Sequence, residues 1–186
     1  MSQTDETAGE RSTVHSTFVL ERTYEAARAR VWQAWSDPAE KRRWFGPPEP
    51  AKAEHELEFR VGGLERMSVR APNGVYRFIA RFQDIVEGER FVHTYEMYLD
   101  DARISVSVAT VVLEAEGDGT KLTMTEQGVF LDGLDDPAER EHGTGELLNT
   151  LARYLQSTGG GHKRGAGNTL ETSMSASTEV CAEARP

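Results

Sequence analysis

Between His55 and Phe130 the chain alternates apolar and polar residues in run after run, and each run ends on residues that turn a chain. The runs are HELEFRV, LERMSVRA, VYRFIARFQDIV, RFVHTYEMYL, RISVSVATVVLEAE and KLTMTEQGVF. Between them lie Gly62-Gly63, Pro72-Asn73-Gly74, Glu87-Gly88, Asp100-Asp101 and Gly117-Asp118-Gly119. Successive strand side chains point to opposite faces, so this period of two predicts an antiparallel meander with one apolar face. STFVLERTY, upstream, adds one more strand, for about seven in all. A sheet with one apolar face needs a cover.

Three helical segments are available to cover it. EAARARVWQAWSDP places Val31, Trp32 and Trp35 on one side and stops at Asp37-Pro38. PAEKRRWF follows and ends at GPP, with Lys41, Arg42 and Arg43 expected on a solvated face beside core aromatics. The only long amphipathic segment comes last, opened by Asp135-Asp136-Pro137. At 100° per residue, Arg140, Thr144, Leu147, Leu148, Leu151 and Leu155 share one side of it, while Glu146, Asn149 and Arg153 share the other. Its second half is a leucine anchor. Its first half turns Arg140, Gly143 and Thr144 inward, which leaves room for a cavity. Each interior glycine costs about 1 kcal/mol relative to alanine. Gly143 borders the inward stripe, where missing bulk makes space. Gly145 lies off the stripe and is expected to loosen a lid, with tolerated strain or a break between two helices as the alternative.

Composition removes several functional classes. The 186 residues carry a formal charge of -10 with no run of lysine or arginine beyond Lys41-Arg42-Arg43, which argues against nucleic acid and anionic membranes. No stretch approaches the ~18 apolar residues of a membrane span, and MSQTDETAGERSTVHS has no apolar leader segment. Cys181 is the single cysteine, so no internal disulfide forms and a reducing, cytoplasmic location is expected. Residues 1–15 and 158–186 are too polar or too small-residue-rich to bury a core, so both are expected to be disordered around one domain at 16–157. Cys181 then reads as an incidental exposed thiol.

The stretches VWQAWSDPAEKRRWFGPP, VGG, GVYRFIARFQDIVEGERFVHTYE, GDGTKLTMTEQG and GTGELLNTLARYL resemble the SRPBCC superfamily. The resemblance is nearest to its bacterial branch related to the C-terminal domain of activators of the heat-shock protein 90 ATPase. It runs from about Thr17 to Leu155 and implies an α+β helix-grip fold: a seven-stranded antiparallel sheet wrapped around a long C-terminal helix, with two short helices after the first strand. Relatives often carry tryptophan after the helix glycine, where this chain has Thr144. That exchange changes the expected cavity.

On the inward face, alternation places His55, Leu57 and Phe59; Met67 and Val69; Tyr76, Phe78, Ala80 and Phe82; Phe91, His93, Tyr95 and Met97; Ile104, Val106 and Val108; and Leu122, Met124 and Glu126. From these strands the expected ligand contacts are His55, Phe59, Met67, Tyr76, Phe78, Phe82, His93, Tyr95, Met97, Met124 and Glu126, joined from the helix by Arg140, Gly143, Thr144, Leu147 and Leu148. His55 and His93 read first as hydrogen-bonded core residues, and Tyr76 and Tyr95 as sheet aromatics with hydroxyls at the rim. An inward carboxylate at Glu126 must be paired or must face a wet cavity. The five histidines are scattered without metal-ligand spacing, and no nucleophile elbow, phosphate loop or nucleotide fingerprint is present. No cofactor or metal is expected and no catalytic residue is assigned. The leading expectation is binding of a small hydrophobic molecule between sheet and helix. The alternatives are a co-chaperone activating the heat-shock protein 90 ATPase, and a cyclase- or hydrolase-type enzyme using polar cavity residues. A chaperone or a second copy of the chain is a candidate partner.

Overall fold

The computed structural model describes residues 11–46 and 53–159. The expected disorder at residues 1–10 and 160–186, and Cys181 with it, lies outside them. The elements run β1 (Thr13–Tyr24), α1 (Arg28–Ser36), α2 (Pro38–Lys41), β2 (Ala53–Leu57), β3 (Leu64–Ala71), β4 (Gly74–Val86), β5 (Arg90–Leu99), β6 (Ala102–Glu116), β7 (Gly119–Leu131) and α3 (Pro137–Gly159). All seven strands form one antiparallel sheet in the order β1-β7-β6-β5-β4-β3-β2. The fold is the α+β helix-grip arrangement. Residues 13–15 belong to β1 and 158–159 to α3, so the folded unit exceeds the expected 16–157 at both ends. No helix among the described residues is long and apolar enough to cross a membrane.

Local chemistry sets the boundaries. Asp37 caps α2 by accepting from the backbone N–H of Ala39 and Glu40 at 2.8 and 3.0 Å, and Asp136 caps α3 by accepting from Ala138 and Glu139 at 2.8 and 3.1 Å. β2 ends at Leu57, four residues short of the alternating run, because the chain there folds into a tight loop before β3. Gly62 adopts φ 77°, the left-handed region that favours glycine, whereas a Cβ on Gly63 would stand 2.1 Å from the Glu58 carbonyl oxygen, so Gly63 is required by backbone approach. Phe59 sits in this loop, where its ring packs on Trp32, Phe82 and Phe91 with centroids 5.4, 4.8 and 5.4 Å away.

The core lies between the sheet and the three helices, centred on Trp35, Trp44, Phe82, Phe91, Val111, Leu122, Leu148 and Leu151. One strand presents the face opposite to expectation. On β6 the inward residues are Ser105, Ser107, Ala109, Val111 and Leu113, whereas Val106 and Val108 pair with Glu96 and Thr94 on the outer face. Both parities of RISVSVATVVLEAE carry apolar side chains, so hydrophobicity alone cannot set its phase. Ile104 remains buried because the β5–β6 register shifts beside it, between Met97 and Tyr98.

The orientation of β6 is directly testable. Val111→Ala should lower unfolding free energy by about 2 kcal/mol, the removed methyl groups plus their cavity. Val108→Thr should change it by less than about 0.5 kcal/mol, as at an ordinary surface position. Urea unfolding of the two variants gives both values, and a reversed ranking contradicts the assignment.

Candidate functional site

A cavity of about 360 Å³ lies under the first half of α3, where Gly143 and Thr144 present little bulk. Of the expected contacts, Met67, Tyr76, Phe78, His93, Tyr95, Met97, Met124, Glu126, Arg140, Gly143, Thr144 and Leu147 line this cavity. His55, Phe59, Phe82 and Leu148 do not. Phe59, Phe82 and Leu148 are spent on the aromatic and leucine core, and His55 on an ionic cluster behind the wall. Trp35, Lys41, Phe45, Gly46, Glu65, Ile104, Asp135 and Glu139 line it unforeseen. A wider hollow on the opposite face of the sheet, over Gly128 and flanked by Val106, Val108 and Thr94, is open to solvent.

At one end of the cavity Arg140 organises a polar cluster. Its guanidinium donates to the Tyr95 hydroxyl and to Ser105 Oγ, both at 2.9 Å, and pairs with Asp135. Glu126 is 1% exposed. Its Oε1 accepts from the Tyr95 hydroxyl and, at 3.0 Å, from Ser107 Oγ, and stands 3.7 Å from Arg140 Nη1. Burial pushes the Glu126 carboxyl above the usual carboxylate range, against the opposing pull of Tyr95, Arg140 and Ser107. Ser105 and Ser107 are the partners that sequence reasoning missed, because it turned β6 the other way. Tyr95 is buried within the cluster, while Tyr76 holds the rim, its hydroxyl accepting from Asn73 at 2.8 Å.

The other end is ionic as well. Lys41, expected in solvent, is 2% exposed. Its ammonium lies 2.7 Å from Glu65 Oε2 and over the rings of Trp35 and Phe45, 4.9 and 4.6 Å from their centroids. His55 Nε2 shares the second Glu65 oxygen at 2.8 Å. Burial alone would raise the Glu65 carboxyl, but the Lys41 charge and the hydrogen bonds from His55 and Lys41 hold it below its ordinary range. The parity that turns Met67 inward also turns Glu65 inward, a signal available in the sequence two residues upstream. Between the two ends, His93 lies among Phe78, Phe82, Phe91 and Tyr95. Burial, reinforced by the Lys41 charge, pushes its imidazole down to about 4, so it is neutral at physiological pH. Trp35 Nε1, His93 Nδ1 and Glu126 Oε2 are buried without hydrogen-bond partners, and all three residues line the cavity. Among the described residues no cluster of three or more His, Cys, Asp or Glu side chains could hold a metal ion.

Gly143 and Gly145 serve different surfaces. A Cβ on Gly143 would meet nothing within 4 Å, consistent with its place over the cavity mouth. Gly145 is buried against β1, where its carbonyl accepts from Arg22 Nη2 at 3.5 Å and a Cβ would stand 3.4 Å from that nitrogen. Arg22 also donates to Asn149 Oδ1 at 3.1 Å. A Cβ at that distance from the far end of a flexible side chain makes an ordinary contact, so packing alone does not require a glycine at 145.

Two measurements check these electrostatics. Lys41→Met leaves Glu65 buried without its cation and should cost about 3–5 kcal/mol, with most of the loss recovered in Lys41→Met/Glu65→Leu; denaturant titration of the single and double variants reads both. The unfolded chain protonates His93 near 6.5 and the folded protein only near 4, so acid favours unfolding across that window. Between neutral pH and pH 5 this contributes about 2 kcal/mol of destabilisation. His93→Gln should therefore lose about that much less stability than the parent over the same interval.

The family profile described as "Activator of Hsp90 ATPase homolog 1-like protein" matches residues 25–156. No curated protein matches. Among solved structures, a protein from Rhizobium loti is 45% identical with a TM-score of 0.72, over 77% of this chain and 99% of that one. An uncharacterized protein from Rhizobium leguminosarum is 43% identical with a TM-score of 0.77, over 80% and 99%. An AHSA1-like protein from Aeromonas hydrophila, at 21% identity and a TM-score of 0.60 over 82% and 100%, shares the fold. With its seven-stranded sheet, closing helix and matched profile, the chain belongs to the Activator of Hsp90 ATPase homolog 1-like family, within the SRPBCC fold.

Proposed function

We propose that this protein binds a small, largely apolar molecule in the cavity between the sheet and the first half of α3. The observation that carries the reading is one apolar-walled pocket: Phe45, Met67, Phe78, Met97, Met124 and Leu147 surround about 360 Å³ of space beneath the first half of α3. A solid core has no use for about 360 Å³ of space. The volume falls within the range of small-molecule sites. Family membership supports a ligand-binding fold in general. With a single cysteine and an acidic surface, the binding reading is set in the cytoplasm.

Thr144 lines the cavity, and tryptophan there would occupy it. Titration with the neutral fluorophore phenylnaphthylamine should give saturable blue-shifted emission. Thr144→Trp should weaken that binding at least about tenfold without loss of thermal stability, because filling a void gains contact whereas overpacking a filled core costs typically 1–3 kcal/mol. Strong destabilisation with unchanged dye binding would refute the cavity reading. Stimulation of an Hsp90 ATPase by a preparation that binds no dye would favour the activator reading instead.

A further inference from the structure

We infer that residues 137–147, the first half of α3, form a hinged lid that turns about Gly145 and is latched shut by Arg140. The opening is a property of the fold; that it admits the guest rests on the binding reading above.

The two halves of α3 are held by different means. Leu148, Leu151 and Leu155 are buried in the core, and the Tyr24 hydroxyl donates to the Leu148 carbonyl at 3.2 Å. Ahead of them the helix buries no apolar side chain, and Gly145 is its single buried residue. Leu147 is half-buried and lines the cavity. A segment with so few buried apolar contacts opens at a lower free energy than the helix that continues from it. There is also space on both flanks. The cavity lies under Gly143 and Thr144, and on the other side a solvent-open hollow runs between Glu141, His142 and Gly145 of the helix and Leu20 of β1. Close packing therefore fixes the helix start from neither side.

Arg140 ties it down instead. Its side chain, 11% exposed, donates to the Tyr95 hydroxyl and to Ser105 Oγ at 2.9 Å, pairs with Asp135, and lies over the Phe130 ring, 5.5 Å from the centroid. Tyr95, Ser105 and Phe130 belong to β5, β6 and β7, so one side chain fastens the lid to three adjacent strands.

Gly145 stands where the loosely held half meets the anchored one. Glycine disfavours a helix about fivefold relative to alanine, and a Cβ here would stand 3.4 Å from Arg22 Nη2, the end of a flexible side chain. Arg22 donates to the Gly145 carbonyl at 3.5 Å and to Asn149 Oδ1 at 3.1 Å. The pivot is thereby kept beside β1 while the residues ahead of it are free to turn.

Amide hydrogen exchange of the full chain, followed residue by residue by NMR, reads the lid directly. Amides 140–147 should share one level of protection, at least about a hundredfold below that of 149–156, with a step between them. Arg140→Met should lower the first level about tenfold further, the size of a charge-assisted hydrogen bond, and leave the second unchanged. Gly145→Ala should raise the first level about fivefold. Because Gly145 is not among the residues lining the cavity, stopped-flow mixing of that variant with phenylnaphthylamine should show association and dissociation slowed by the same factor at unchanged Kd. Equal protection in both halves, or a smooth decline from Pro137 as in ordinary end fraying, overturns the lid. Unaltered protection of 140–147 in Arg140→Met overturns the latch, and in Gly145→Ala the hinge. Unchanged dye kinetics beside slowed exchange overturn the gating role. If the parent binds no dye, the binding reading fails, and the exchange step alone decides the lid. Should Arg140→Met not fold, the parent and Gly145→Ala decide it.

Discussion

One guanidinium determines how α3 meets the sheet. Arg140 reaches from the helix to Tyr95 and Ser105 while paired with Asp135, the residue just ahead of the α3 N-cap. The helix start is thus held at the length of an extended polar side chain. Two turns later Leu148, Leu151 and Leu155 bring the same helix into direct contact with the aromatic core, and the Tyr24 hydroxyl fixes the Leu148 carbonyl at 3.2 Å. A helix spaced off at one end and seated at the other leaves a wedge. The cavity is that wedge, and the inward serines of β6 bond Arg140 and Glu126 at its polar end.

The far wall is closed by a different device. Lys41, Glu65 and His55 form a buried ionic group in which each member answers another's charge or hydrogen-bonding capacity. Such a group is expensive to desolvate and contributes little net stability compared with well-packed apolar residues. What it supplies is position. Lys41 ends α2, so its bond to β3 pins the short helices to the sheet one strand in from its β2 edge and holds Trp35 and Phe45 against the cavity.

Much of this was legible in the residues. The alternating runs located β3 and β5 to the residue and the other meander strands to within a few, because turn residues and period-two patterning agreed. The helix stripe placed Arg140 and Thr144 over the cavity, and the inward carboxylate at Glu126 announced its polar end. Three features were not readable for a physical reason. β6 has apolar side chains on both faces, so its phase depends on the partner strands. Lys41 belongs to a run of three cations, and only tertiary pairing with Glu65 separates it from Arg42 and Arg43. Phe59 follows the alternation of β2 but lies beyond its end, where the approach of Gly63 to the Glu58 carbonyl forces the chain out of register.

The sheet order also bears on how the molecule assembles. β1 occupies an edge and pairs along its whole length with β7, joining Thr13–Tyr24 to residues 120–131. Every other strand pairing links sequence neighbours and can form as the chain emerges from the ribosome. β1 is synthesised before the other strands yet has no partner until β7 arrives, so until then it is an unpaired strand with Phe18 and Tyr24, buried in the finished sheet, uncovered. Its closure is the most non-local step in the fold and bears the largest loop entropy. That makes β1 the segment most in need of shielding during synthesis, and the one whose docking marks completion of the native state.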